Sequence, residues 1–201
     1  MQMADRSVRK NRRAAVMIDL NWLSKEAEAL IKKAECSFLR RVDGYQRHGV
    51  RFNVKGPRLW VEGSDVWIEI AESVCAYPDQ ALFQLGHEVI HSLSPSHTND
   101  ASLLEEGLAV WFSLHGPSYQ NAGYKSIATS YIETDKEAES YREALHLYNE
   151  AQLYTSSECV KAIRSEDINL QNLTLSSLQK ACPKIPSPLA ERLCKRVRLR
   201  A

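Results

Sequence analysis

Residues 78–93 read PDQALFQLGHEVIHSL, and the run from His87 to His91 inside them decides how the rest of the chain is understood. Pro78 suits the first turn of a helix. Leu82, Phe83, Leu85, Val89, Ile90 and Leu93 recur on a broad apolar face, and Pro95 stops the pattern. Residues four apart on a helix stand one above the other, so His87 and His91 present both imidazoles to one point. Glu88 projects beside them with a carboxylate able to move a proton. A pair of imidazoles suits zinc, which in a reactive site takes three protein ligands and keeps a fourth position for water. A third ligand is therefore sought downstream.

Two residues compete for that role. His97 has the spacing of the longer pattern H-E-x-x-H-x-x-G-x-x-H. Ser94, however, stands where that pattern has glycine, and Pro95 pushes Ser94 toward extended backbone where a sharp turn is required. Such sites also place a methionine turn beneath the ion, whereas Met1, Met3 and Met17 all precede the helix. The alternative is Glu106 in LEEGLAVWF, residues 104–112. Asp100 is expected to cap a second helix that ends at Gly116 and Pro117. A connection over 94–99 is of ordinary length for antiparallel helices and returns Glu106 toward His87 and His91. Gly107 and Ala109 are small enough to let the two helices approach closely. Glu105 is expected beside the site or at the surface, and His97 in a polar loop.

HEVIH followed by Glu106, Gly107, Leu108 and Ala109 resembles the gluzincin zinc peptidases, within the wider zincin-like class. The resemblance runs from the DVWIEIA stretch through the second helix. It implies an α+β zincin-like fold: a small mixed or mostly antiparallel sheet, the active-site helix, the glutamate helix and a helical C-terminal part that closes a cleft. It further implies one Zn2+ ion held by His87, His91 and Glu106, with Glu88 as general base and a peptide or protein as substrate. The strand upstream is expected to lie at a sheet edge, with Trp67, Ile68 and Glu69 receiving the substrate backbone. A donor to the oxyanion comes from a later segment in this family; Tyr119, Tyr124, Tyr131, Tyr141, His146 and Tyr148 are the candidates, Tyr141 foremost. One departure is clear. Many gluzincins carry an aspartate after the third ligand to orient a histidine, and Val110 occupies that position here, so another acceptor is required.

A second reading comes from a different class: a zinc-binding interaction module, non-catalytic or latent until a regulatory protein partner opens the cleft. Glu88 argues against it, because an ion held only for structure needs no base.

Around this centre, residues 20–42 repeat apolar positions at helical spacing through Trp22, Leu23, Ala27, Leu30, Ile31, Ala34 and Phe38. GVRFNV, RLWVE and DVWIEIA then read as strands, the last two joined at Gly63 and Ser64 by a tight hairpin. Residues beyond 117 read as mostly helical, and Arg164 among them as a surface arginine. The expected organisation is a basic flexible stretch over 1–15, a catalytic core over 16–116 and a helical subdomain over 117–201.

Lys and Arg number 26 against 25 Asp and Glu, so the net charge of +1 gives no global reason to expect nucleic acid as a partner. Basic clusters at both ends are expected to be solvated tails. The five scattered cysteines lack any C-x-x-C pair and argue against a disulfide framework. No apolar run suits a membrane span. Together these features predict a soluble, cytoplasmic protein.

Overall fold

The computed structural model describes residues 17–98, 100–155 and 158–198, which form a mixed α+β fold. The basic N-terminal stretch and residues 199–201 lie outside the described residues. Helix α1 (Leu20–Phe38) is capped by Asp19, whose carboxylate accepts from the Asn21 N–H, and it buries Leu23, Ala27, Leu30, Ile31, Ala34 and Phe38. These six repeat every three or four residues and form the stripe that the sequence periodicity demands.

Strands β1 (Gln46–Asn53), β2 (Arg58–Glu62) and β3 (Asp65–Ala71) make a mixed sheet in the order β1-β3-β2. β1 runs parallel to β3 and β2 antiparallel to it. The hairpin between β2 and β3 turns at Gly63 and Ser64, with Gly63 at φ +59°, a conformation that favours glycine at the first central position of such a turn. This order corrects one expectation. β3, which carries Trp67, Ile68 and Glu69, is the central strand, and its backbone is paired on both sides. β1 and β2 are the edge strands. Sequence pattern marks a strand but not its neighbours, because strand order is fixed by packing between distant segments.

α2 (Pro78–His91) and α3 (Leu103–His115) form an antiparallel pair, with α2 packed against the sheet. The cap of α3 is Ser102, whose hydroxyl accepts from the Glu105 N–H, rather than Asp100. Asp100 instead opens a short strand, β4 (Asp100–Ser102), that pairs antiparallel with β5 (Arg196–Arg198). α4 (Tyr124–Thr134), α5 (Glu139–Tyr154), α6 (Cys159–Glu166), α7 (Leu175–Ala181) and α8 (Ser187–Leu193) complete the chain, and one apolar cluster runs from Leu23 through to Leu193.

Close helix approach is paid for in glycine. A Cβ on Gly107 would collide with the Ala144 carbonyl oxygen and lie 2.7 Å from Tyr148 Cβ, so Gly107 admits α5 against α3. The contact between α2 and α3 rests on Gly86, where a Cβ would come within 3.1 Å of the Ser113 Cα.

Two further expectations are corrected. Cys159 and Cys182 form a disulfide across 23 residues, a pairing that the scattered cysteine spacing argued against. Their meeting depends on α6 packing against α7, a tertiary contact that cysteine spacing does not report. Arg164 is buried rather than superficial. Its guanidinium donates to the backbone carbonyls of Phe38 at 2.9 Å, Arg40 at 2.8 Å and Leu93 at 3.2 Å, tying the C-terminal ends of α1 and α2 together. No described helix is long and apolar enough to cross a membrane.

Candidate metal centre

His87 and His91 face one way from α2, and Glu106, in the first turn of α3, faces back at them. The two Nε2 atoms are 3.1 Å apart. His87 Nε2 lies 3.3 Å from Glu106 Oε1, and His91 Nε2 lies 3.4 Å from Glu106 Oε2. A tetrahedral ion with bonds of about 2.0–2.1 Å separates neighbouring ligand atoms by about 3.3 Å. The three side chains thus have the spacing of one face of such a tetrahedron, and the group can hold a metal ion.

The chemistry of Glu106 supports the same fit. The residue is 1% exposed, and among the described residues neither carboxylate oxygen has a hydrogen-bond donor, although both lie within ion-pair distance of the imidazoles. Distance is satisfied while direction is not, as expected when ligand atoms point at a common centre rather than at one another. A buried carboxylate without donors is strongly unfavourable unless a cation compensates it. Burial pushes the Glu106 carboxyl pKa upward, but the neighbouring His87 and His91 outweigh it and hold the group well below the ordinary range. For His91, burial disfavours the charged ring, yet Glu105 and Glu106 together raise its pKa well above the ordinary value. The two shifts have one cause, the mutual attraction of the buried imidazoles and carboxylates.

Glu105 answers the question left by Val110. It is fully buried, and its Oε1 sits 2.9 Å from His91 Nδ1. A carboxylate only accepts, so Nδ1 carries a proton, which leaves Nε2 as the ring atom able to ligate an ion that displaces its own proton. The other oxygen of Glu105 accepts from Gln171 Nε2 at 3.0 Å. Gln171 in turn accepts from Arg196 NH1 at 2.7 Å, and Arg196 belongs to β5. A chain of hydrogen bonds thus leads from the C-terminal strand to His91. Sequence reasoning placed Glu105 near the site but missed Gln171 and Arg196, which carry no local motif.

Glu88 is 5% exposed and lines the cleft next to the three ligands. Burial raises its carboxyl pKa, the two histidines pull it down less, and a hydrogen bond from the Leu59 backbone on β2 steadies the carboxylate. Of the two edge strands, β2 is therefore the one beside Glu88. Trp67 lies under the His48 ring at 4.7 Å, Ile68 is in the core, and Glu69 is saturated by Arg51, Asn53 and Arg58, so none of the three is available to a substrate backbone.

Of the tyrosine candidates, Tyr141 packs its ring edge-on to His87, with centroids 5.6 Å apart, and lines the cleft. Tyr119 donates to the Ser113 carbonyl, and Tyr148 is buried against Trp111. Tyr124 and Tyr131 line a neighbouring cavity, and His146 is at the surface, paired with Glu133 at 2.9 Å. His97 is exposed in the loop after α2 and is not among the ligand group. Comparisons of the chain with family models, with curated proteins and with solved structures give no match.

Proposed function

We propose that this protein is a zinc-dependent metallopeptidase of gluzincin type. One observation carries the reading: two imidazoles and a donor-free buried carboxylate converge at tetrahedral spacing, and a further carboxylate, Glu88, stands next to them without being needed to hold an ion. When bound by His87, His91 and Glu106, zinc supplies a Lewis acid for the peptide carbonyl and a water of lowered pKa.

The chain's own residues supply the rest. Glu88 takes a proton from the attacking water and delivers it to the departing amine nitrogen; its burial, which raises its pKa, makes it a better acceptor for that proton. Glu105 keeps His91 in the tautomer that ligates through Nε2. Tyr141 donates its O–H to the carbonyl oxygen as negative charge develops there. The outer edge of β2, on either side of the Leu59 N–H that Glu88 accepts from, receives the substrate backbone as an added strand.

Metal analysis combined with Glu88→Gln tests this. The variant is expected to bind zinc as the parent does while cleavage falls by about 10²–10⁴-fold. Undiminished cleavage refutes the role of Glu88. A parent protein that binds zinc stoichiometrically and cleaves no peptide of a diverse library points instead to the non-catalytic module.

A further inference from the structure

Glu88, Asp100 and Glu105 line the cleft beside the two histidines, and Arg58 is the one Lys or Arg among the described residues that does so. Glu105 is engaged with His91 and Gln171, and Asp100 lies 3.8 Å from Arg196. Arg58 is engaged on one side only. Its Nε donates to Glu69 at 2.6 Å, and its guanidinium carbon stands 4.5 Å from the centre of the Trp60 ring, which together fix the plane of the group. Its two terminal nitrogens have no hydrogen-bond partner among the described residues. Nor does Glu69 neutralise it alone. The same carboxylate pairs with Arg51 at 2.5 Å, so one negative charge is shared by two guanidinium groups and a positive charge is left over.

Strand register decides which part of a substrate meets that charge. Across the β2–β3 ladder Arg58 faces Glu69 and Trp60 faces Trp67, while Leu59 faces Ile68, which is in the core. Arg58 and Trp60 therefore share the side of the sheet turned away from the core. A strand laid along the outer edge of β2 places the side chains opposite Arg58 and Trp60 on that same side. Leu59 stands next to Arg58 and gives its N–H to Glu88, so a substrate residue opposite Arg58 is close in sequence to the bond under attack.

We propose that Arg58 is a specificity-determining residue that takes an aspartate or glutamate side chain of the substrate close to the scissile bond, so that the protein selects acidic peptides. The proposal rests on the peptidase reading and on β2 as the strand that receives the substrate. A carboxylate is the group that fits. Its two oxygens match the paired N–H donors that Nη1 and Nη2 present side by side, and its charge compensates the guanidinium that Glu69 shares with Arg51. A glutamine brings one acceptor and no charge, and a lysine brings a charge of the wrong sign.

The test uses the zinc-loaded chain and a peptide library randomised on both sides of the cut. One position is expected to favour Glu or Asp over Gln, Asn and Lys by at least about tenfold in kcat/KM, a preference that shrinks at high salt. Arg58→Gln is expected to remove the preference. Arg51→Gln, which takes a donor from the same Glu69 but does not line the cleft, is expected to keep it. Cleavage of acidic, amide and basic peptides at equal rates by the parent protein would overturn the role of Arg58 and leave the peptidase reading intact; so would an acid preference that survives in Arg58→Gln. Binding decides the matter without catalysis. Calorimetry of the zinc-loaded Glu88→Gln protein is run with acetylated, amidated hexa-alanine peptides bearing Glu, Gln or Lys at one position, and with a Gln peptide whose C-terminus is free. The internal Glu peptide is expected to bind at least about tenfold more tightly than the others, an advantage that adding Arg58→Gln removes. Equal affinities would overturn the proposal, and so would tighter binding of the free C-terminus alone, which would assign the charge to a terminal carboxylate.

Discussion

Two buried glutamates of this chain have opposite surroundings. Glu69, in the middle of the sheet, is 4% exposed and accepts from Arg51 at 2.7 Å, Asn53 at 2.5 Å and Arg58 at 2.6 Å. Glu106, on α3, is 1% exposed and accepts from no donor. The chain satisfies Glu69 from its own guanidinium groups, so that carboxylate is part of the sheet's architecture. Glu106 is held in place by the packing of α3 between α2 and α5, with its charge left for something the polypeptide does not provide. Burial alone does not separate a structural acid from a ligand; the count of donors does.

Exchanging each acid for its amide breaks this comparison most directly. Glu106→Gln is expected to lower zinc affinity by more than about 100-fold, beyond the 10–100-fold typical of supporting partners. It should also abolish the rise in melting temperature that excess zinc gives the parent, while the melting temperature in chelator stays level or rises. Glu69→Gln should do the reverse, leaving zinc affinity unchanged and lowering stability in chelator, because two guanidinium groups lose their counter-charge. Titration calorimetry and thermal melts on both variants decide the matter; a loss of zinc affinity in Glu69→Gln would dissolve the distinction.

Next in size is the supporting chain behind His91. Gln171→Ala removes the donor that holds Glu105, and a fall of about tenfold in zinc affinity is expected with little change in fold, measured by competition with a chromophoric chelator. Arg196→Ala should follow in the same direction with a smaller effect, since it acts one bond further out.

Gly107→Ala sharpens the comparison from the packing side. The new methyl meets the Ala144 carbonyl, so a loss of about 1–3 kcal/mol is expected in denaturant unfolding despite the better helix propensity of alanine. Unchanged stability would mean that α5 does not hold Glu106 in place.

The smallest effect concerns acid. Burial pushes the Glu69 carboxyl pKa up, but Arg58 and Arg51 bring it below the ordinary 4.5. A depressed folded-state value contributes stability above the unfolded pKa and loses it as the proton is taken up. Metal-free protein should therefore weaken progressively as pH falls below about 4.5, and Glu69→Gln should flatten that slope in acid-titrated melts.

The site was far more legible in the sequence than the sheet around it. His87, Glu88 and His91 declare themselves because a helix converts a four-residue spacing into a shared face. Glu106 follows because a short connection makes the next helix antiparallel and brings its first turn back to them. β3 looked like an edge because its alternation is the same whether one or two strands flank it. Cys159 and Cys182, Asp100 and Arg196, and Arg164 with three distant carbonyls all meet through contacts that no local pattern encodes.

Sequence by itself determined that His87 and His91 share one helix face with the Glu88 carboxylate next to them, since helical periodicity is a local property of the backbone. Only tertiary structure decided that β2 rather than β3 lies at a sheet edge, that Glu105 and Gln171 steady His91, and that an apolar cavity adjoins His87 and Glu88. Each of these depends on segments far apart in the chain being packed together, and the burial that drives such packing is set by the whole core rather than by any one stretch.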